Sequence, residues 1–499
     1  MDVDYIIVQA GGKGTRMGYL TVNKPKALVP IQNLPMIFHL FKKYPDKKYF
    51  IIGDYHYEVL ERYLSAFAHV SYEMIDARGI KGTCAGVNQA LKKIPDKKAF
   101  MLTWCDLILP SEYELPKETG NYIGISKGFQ CRWKYEKGVF AEEASVEHGV
   151  AGHFLFDGKD RLLDLPDEGE FVRWLCNKKM SFQEIPMYRT KEYGVLSEYD
   201  SLEKPKCRPF NRIVVNENRI IKEGIDDQGH KLGIREVAWY QKVQKMQFEN
   251  IPKIYCTNPL TMEKVDGKNI YEYNLTKDEK KNILQQIISC IEKIHNLEGC
   301  QADAESFYEA YIGKTFDRLQ QVYNLVPFAK EPVVRVNGKD CPNIFYHRAD
   351  IETLVNKYKP KAFCLLHGDC TFSNILLKDG KNPVMIDPRG YFGFTEFYGD
   401  PAYDWVKLYY SIVGNYDQFN LKRFRLTIGK NDVQLTIDSN HWEDMEDTFF
   451  DILGARADRK QIKILHAIVW LSLTTYAWED YDSICGAFYN GLQYLADVL

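Results

Sequence analysis

YIIVQAGGKGTRMG, residues 5–18, decides how the first part of this 499-residue chain is read. An apolar run that reads as a strand leads directly into Gly11, Gly12 and Gly14, and a helical pattern follows. Glycines at the end of a strand let backbone N–H groups approach a phosphate with no Cβ in the way. Thr15 and Arg16 follow at once, and Lys26, ten residues beyond Arg16, brings a second cation to the same region. Taken alone, a glycine-rich loop is weak evidence, and a generic dinucleotide-binding turn is the minor alternative.

Working outward, short apolar runs alternate with helical patterns through residues 1–110. YIIVQA (5–10), KYFIIGD (48–54), VSYEMID (70–76) and AFMLTWCD (99–106) read as strands. PMIFHLFKKYP and YEVLERYLSAF read as helices between them. This alternation predicts an α/β fold with a mostly parallel sheet covered on both faces. YIGISKG and AGHFLFDG are strand-like and GEFVRWLCNKKM is helical, an α+β continuation over 120–200. The polar stretch SLEKPKCRPFN (201–211), with two prolines, is the best candidate for a domain junction. Two strands (RIVVNEN, RIIKEG), a helix starting near residue 231 and a hairpin-like stretch over 252–272 follow. Beyond them the pattern is mainly helical, apart from FCLLHGD and PVMIDP. The expected division is 1–204 and 207–499, the second part split into a small lobe (207–272) and a helical lobe (273–499).

Composition narrows the class. Hydrophobic residues are 45% and charged residues 27%, and Lys+Arg 65 against Asp+Glu 68 leaves a net charge of −3. Such a balance gives no general field for a polyanion, so nucleic acid is not the expected partner. No window reaches the ~18 apolar residues of a membrane span. The opening MDVDYIIVQAGG lacks a basic segment before its apolar run and reads as a buried first strand, not a signal peptide. Twelve cysteines without CxxC spacing suit free thiols in a reducing cytoplasm better than a disulfide framework.

The extended string GGKGTRMG followed by KPKALVPI resembles the signature of bacterial nucleotidyltransferases that make nucleotide sugars and CDP-amino alcohols. KGTCAG (81–86), with Gly82 and Thr83, is similar to the segment that in those enzymes contacts the base and the acceptor. TWCDLIL (103–109) resembles the strand end supplying the first metal carboxylate, here Asp106, although Cys105 stands where the family more often has Gly or Ala. SEYDSLEK (197–204) resembles the segment giving the second, here Asp200, with Glu198 beside it. The resemblance implies a Rossmann-like mixed sheet and attack of a phosphate monoester on the α-phosphorus of an NTP, with Mg²⁺, Lys26 and Arg16 offsetting the repulsion of two anions. GTCAG leans towards sugar 1-phosphates. EYDSLEK together with GEFVRWL (169–175) looks more like phosphocholine cytidylyltransferases, which favours CTP, with Trp174 and Glu170 as candidates to face a quaternary ammonium. A helical Trp is more often packed core.

A second constellation stands near residue 370. LLHGDCTFSNILL places Asp369 where a carboxylate would take a substrate hydroxyl proton, and Asn374 where an amide oxygen would bind Mg²⁺. Asp387, in VMIDPRG, follows thirteen residues after Asn374 as a second metal ligand. These spacings resemble aminoglycoside- and choline-kinase-like phosphotransferases, which implies a bilobal α+β protein-kinase-like fold over 207–420. On that resemblance Lys222 in RIIKEG is the phosphate lysine and Glu236 its helix partner. Met262 to Lys264, with Glu263 between, would form the hinge that grips adenine. GDPAYDWVKL (399–408) is a packing segment in which Asp404 braces the loop. Tyr391, Phe392, Tyr398, Tyr409 and Tyr410 could cage a cation or stack a sugar, though lobe packing is the commoner use of such residues. Asp-Pro-Arg-Gly replaces the Asp-Trp-Glu typical of choline kinases, and Arg389 suits an anionic or hydroxyl-rich acceptor.

Together the resemblances imply a bifunctional cytoplasmic enzyme using Mg²⁺, ATP and a second NTP. It would phosphorylate a small acceptor and couple the new phosphate to a nucleotide for surface polysaccharide. Two other readings stand beside it: domains with unrelated substrates, or a transferase regulated by a pseudokinase half. Homo-oligomerisation is compatible with all three.

Overall fold

The computed structural model describes residues 1–202 and 210–499. Most of the expected junction, 201–211, lies outside them. The chain forms two compact units, Met1–Lys204 with Glu479–Tyr481, and Pro205–Trp478 with Asp482–Leu499.

A seven-stranded sheet organises the first unit. Its strands are β1 (Tyr5–Gln9), β2 (Lys48–Gly53), β3 (Ser71–Asp76), β4 (Phe100–Trp104), β5 (Tyr122–Ser126), β6 (Val150–Phe156) and β7 (Gln183–Met187). Their order is β7-β5-β6-β4-β1-β2-β3. β1 runs parallel to both β2 and β4. Only β6 is antiparallel to its neighbours, so the sheet is mixed. Central strands read as continuous apolar runs because both faces are covered: Ile6, Ile7 and Val8 are fully buried. Helices α1 (Met36–Lys43), α2 (Tyr57–Phe67), α3 (Cys84–Leu91) and α4 (Phe171–Asn177) flank the strands in sequence. In α2, Tyr57, Leu60, Tyr63, Leu64 and Phe67 are buried, the three- and four-residue spacing of one apolar stripe.

The helix expected after the glycine loop is not an α-helix. Residues Thr15–Thr21 form a 3₁₀ segment interrupted at Gly18, whose φ of 55° and ψ of −124° are not helical. Gly14 needs its left-handed φ of 62°, and a Cβ there would stand 3.0 Å from Thr21 and 3.2 Å from Lys26.

In the second unit, β8 (Asn211–Val215), β9 (Arg219–Gly224), β10 (Ile254–Thr257) and β11 (Leu260–Glu263) form an antiparallel sheet in the order β8-β9-β11-β10. Helix α5 spans Asp227–Lys245 and starts four residues before the expected position. Asp226 caps it, its side chain accepting from Gly229 N at 2.8 Å, and so satisfies one of the free N–H groups of the first turn. α6 (Lys277–His295) opens on a capping box formed by Thr276 and Glu279. The hairpin β12 (Ile375–Lys378) and β13 (Asn382–Met385) carries the second constellation between helical elements. The helical lobe also holds four strands that hydropathy did not announce, Val333–Val336, Lys339–Pro342, Phe424–Ile428 and Val433–Ile437, joined in one sheet.

Candidate active sites

In the first unit the end of β4 and the 3₁₀ turn Lys26–Leu28 bring Asp106 and Lys26 together. Lys26 is buried and its Nζ pairs with Asp106 Oδ2. Burial works against its charge, but Asp106, Cys105 and Glu192 together outweigh that and raise the ammonium pKa. A third group joins them: Glu192 Oε1 lies 3.6 Å from Lys26 Nζ and 3.8 Å from Arg16. Glu192 arrives because Lys191–Glu192 pairs antiparallel with Leu107–Ile108, just beyond Asp106. Tyr193 N also donates to the Asp106 carbonyl at 3.1 Å. Burial and the like charge of Asp106, opposed by Lys26, push the Glu192 carboxyl up to about 7. Asp106 Oδ1 is buried without a hydrogen-bond partner among the described residues. Such an oxygen is costly to leave unpaired, and a hard divalent cation would satisfy it.

Of the other residues named for this site, Asp200 is exposed at the end of the short helix Leu196–Asp200. Glu198 accepts from Gly194 N at 3.3 Å. Gly11 packs against Asp54, where a Cβ would stand 3.0 Å away, whereas Gly12 faces open space. Gly82 and Thr83 are tied to Gly169: Thr83 N donates to the Gly169 carbonyl at 2.8 Å, and Thr83 Oγ1 accepts from Phe171 N at 2.9 Å. These bonds join the GTCAG and GEFVRWL segments into one unit.

In the second unit β9, α5 and the turn after β13 converge. Lys222 Nζ stands 2.8 Å from Glu236 Oε2 and 2.7 Å from Asp387 Oδ1. Burial raises the Glu236 carboxyl to about 7 against the pull of Lys222. Five residues past Asp369, Asn374 donates its amide to Asp369 Oδ2 at 2.8 Å and to the Asp369 carbonyl at 3.0 Å, which leaves its amide oxygen for another partner. Ile386 N donates to the Asn374 carbonyl at 2.9 Å, so Asn374 and Asp387 are held side by side. Asp369 Oδ1 lies 3.0 Å from Lys407 Nζ. Beneath them the buried Asp404 accepts from His367 N at 3.0 Å, Gly368 N at 2.7 Å and His295 at 3.1 Å. It fixes the loop through its backbone.

Residues 6–115 match the family model described as the MobA-like NTP transferase domain, and residues 235–427 match that of the phosphotransferase enzyme family. The chain joins a nucleotidyltransferase domain to a phosphotransferase domain. Solved structures similar to part of it include HddC from Yersinia pseudotuberculosis, 17% identical, covering 39% of this chain and 96% of that one with a TM-score of 0.34. Another is the CTP:phosphocholine cytidylyltransferase LicC from Streptococcus pneumoniae, 15% identical, with coverages of 40% and 97% and a TM-score of 0.33. No curated protein matches the chain. No helix among the described residues is long and apolar enough to cross a membrane.

In the nucleotidyltransferase domain, Glu170 is already engaged. It accepts from Trp133 Nε1 at 2.9 Å and lies 3.4 Å from Arg132. Trp174 stacks on Phe171 at the edge of the core. In the phosphotransferase domain, Glu263 pairs with Lys378 at 3.3 Å. Its N–H donates to Lys253 O and that of Lys264 to Asn218 O, so these two N–H groups are bonded within the sheet. Phe392, Tyr409 and Tyr410 are buried packing residues, and Tyr398 faces Lys242. Only Tyr391 of that group stands beside Arg389, together with Tyr403.

Proposed function

We propose that the two domains act in series. The phosphotransferase domain moves the ATP γ-phosphoryl group to a hydroxyl of a small polar acceptor. The γ-phosphorus bond to the bridging oxygen breaks, ADP leaves, and the hydroxyl proton passes to Asp369. The nucleotidyltransferase domain then joins that phosphate to an NTP. A phosphate oxygen attacks the α-phosphorus and pyrophosphate leaves. CTP is the favoured nucleotide, on the likeness of residues 169–204 to the phosphocholine-type sequences, and a surface-polysaccharide precursor is the product class.

The observation that carries this reading is that one chain holds two complete sets of polar groups for phosphate chemistry. Lys222 is charged, oriented by Glu236 and set to bind ATP phosphates. Asn374 holds the Asp369 carboxylate in place, and Asp404 holds the loop. At the other site Lys26 and Arg16 supply positive charge where two anions must meet. Among the described residues no three His, Cys, Asp or Glu side chains form a closed metal cage. Magnesium is commonly held by one or two carboxylates and completed by substrate phosphates. Asp106 with Glu192 or Asp200 would hold it at one site, and Asn374 with Asp387 at the other. Bound there, it would neutralise developing charge on the phosphates.

The testing experiment supplies purified protein with ATP and a panel of amino alcohols, polyols, hydroxy acids and sugars. ADP release is measured first. Pyrophosphate release is then measured with CTP, UTP or GTP. Acceptor-dependent ADP and then pyrophosphate supports the series; ADP without pyrophosphate under every NTP removes it.

A further inference from the structure

Three cations surround one ring in the phosphotransferase domain. The charged centres of Lys314, Arg389 and Lys407 lie 5.8, 5.9 and 5.9 Å from the centre of the Tyr403 ring. Two phenols hold Arg389: Nη1 donates to Tyr403 at 2.8 Å and Nη2 to Tyr391 at 2.9 Å. Arg235 and Arg389 each lie 4.4 Å from the Tyr391 ring centre. Arg318 stands one turn beyond Lys314 on the same helical face and donates to the Ser472 carbonyl at 2.6 Å. A single π-helical turn, Glu309–Gly313, immediately precedes Lys314 and sets which face of the helix carries it.

The charges do not balance. Lys407 is paired with Asp369 at 3.0 Å. Lys314, Arg318, Arg389 and Arg235 have no carboxylate within 4.0 Å among the described residues. Burial and the like charges of Arg389, Arg318 and Lys407 press the Lys314 ammonium well below its ordinary pKa, and Glu309 opposes them. Half-buried cations packed this closely repel one another, and an anion placed among them relieves that repulsion. Lys407 ties the cluster to Asp369, the residue placed to receive the acceptor's proton. A quaternary ammonium or other cationic acceptor would meet net repulsion at this point.

From this geometry we infer that the acceptor carries an anionic group, a carboxylate or a phosphate, besides the hydroxyl that is phosphorylated. The anion lies against Lys314 and Arg389, and the hydroxyl faces Asp369. The inference deepens the phosphotransfer reading of this site and rests on it for the placement of the hydroxyl.

Matched acceptors test it: glycerate and glycerol 3-phosphate against glycerol, with choline as the cationic member. Binding to the full chain is measured calorimetrically with β,γ-imido-ATP and Mg²⁺ saturating, so the nucleotide site is filled. ADP release is measured in parallel with ATP. The anionic members should bind about 10- to 100-fold more tightly than glycerol, and choline most weakly. Lys314→Met should cut that preference about 10-fold and change the KM for ATP by less than about 2-fold. Equal or tighter binding of glycerol or choline, or no binding by either anion, overturns the inference. Tight anion binding without ADP release would uphold the anion site and remove the phosphotransfer reading instead, so the two failures are distinct. The wild-type comparison decides the matter even if Lys314→Met does not fold.

Discussion

Lys222 Nζ lies 2.7 Å from Asp387 Oδ1 across 165 residues of sequence. A strand of the small lobe and the turn after β13 are thereby joined at the point where ATP phosphates and their cation would sit. Glu236 holds the same ammonium from α5 at 2.8 Å.

Asp387→Ala should lower acceptor-dependent ADP release by about 10²–10³-fold, the usual loss when one group that stabilises transferring charge is removed. Pyrophosphate release from a pre-phosphorylated acceptor should be unchanged. Loss of both activities together would contradict two independent sites.

Glu192 and Asp200 compete for the role of second carboxylate beside Asp106. Glu192→Gln should slow pyrophosphate release about 10- to 100-fold, because the variant removes an ionisable carboxyl 3.6 Å from Lys26. Asp106→Asn should cost at least as much. Kinetics of Asp200→Asn complete the comparison: a loss there with Glu192→Gln unaffected would assign the second carboxylate to Asp200.

Gly82→Ala should destabilise the nucleotidyltransferase domain. Gly82 has a φ of +88°, and a Cβ would stand 2.1 Å from the Gly169 carbonyl oxygen. The strain and the forced separation of two backbones together cost about 2–4 kcal/mol. Thermal unfolding should show the lower Tm, with the phosphotransferase activity retained.

Acid should weaken the phosphotransferase domain through His466. Trp470 Nε1 can only donate, and it donates to His466 Nε2 at 3.1 Å, so that nitrogen must stay unprotonated. Burial, with some help from Lys463, lowers the His466 pKa to about 3. The unfolded chain takes up its proton near pH ~6.5, so the contribution is complete above that pH and is lost as pH falls towards the folded value. At pH 5 the loss should be about 2 kcal/mol. Urea midpoints at pH 7 and pH 5 measure it, and His466→Gln should flatten the difference.

Local patterns explain how much of this was legible beforehand. The β1 run and its glycines are contiguous, as are His367–Gly368–Asp369 and Asn374, so spacing alone placed them on a strand end and a loop. α2 was readable because its apolar stripe repeats at helical spacing. Glu192 belongs to no contiguous motif; it reaches Lys26 only because its short strand folds back on Leu107–Ile108. Lys314 and Arg318 look like solvated helix charges until the fold sets Tyr403 against the first and Tyr476 against the second. Two further signals are local. Asn337 and Gly338, with φ of 51° and 78°, make the tight turn between Val333–Val336 and Lys339–Pro342. Asp226 marked the true start of α5. After Gly14, the positive φ of Gly18 breaks the helical pattern that follows the loop in sequence.

The most direct test of the account follows one acceptor through both domains. Wild-type protein receives ATP, CTP, Mg²⁺ and the best acceptor of the ADP screen, and product is followed by phosphorus NMR. The account predicts a phosphate monoester that appears first and then converts to a pyrophosphate-linked nucleotide, with release of pyrophosphate. A monoester that accumulates unchanged in the presence of CTP, UTP and GTP would contradict it.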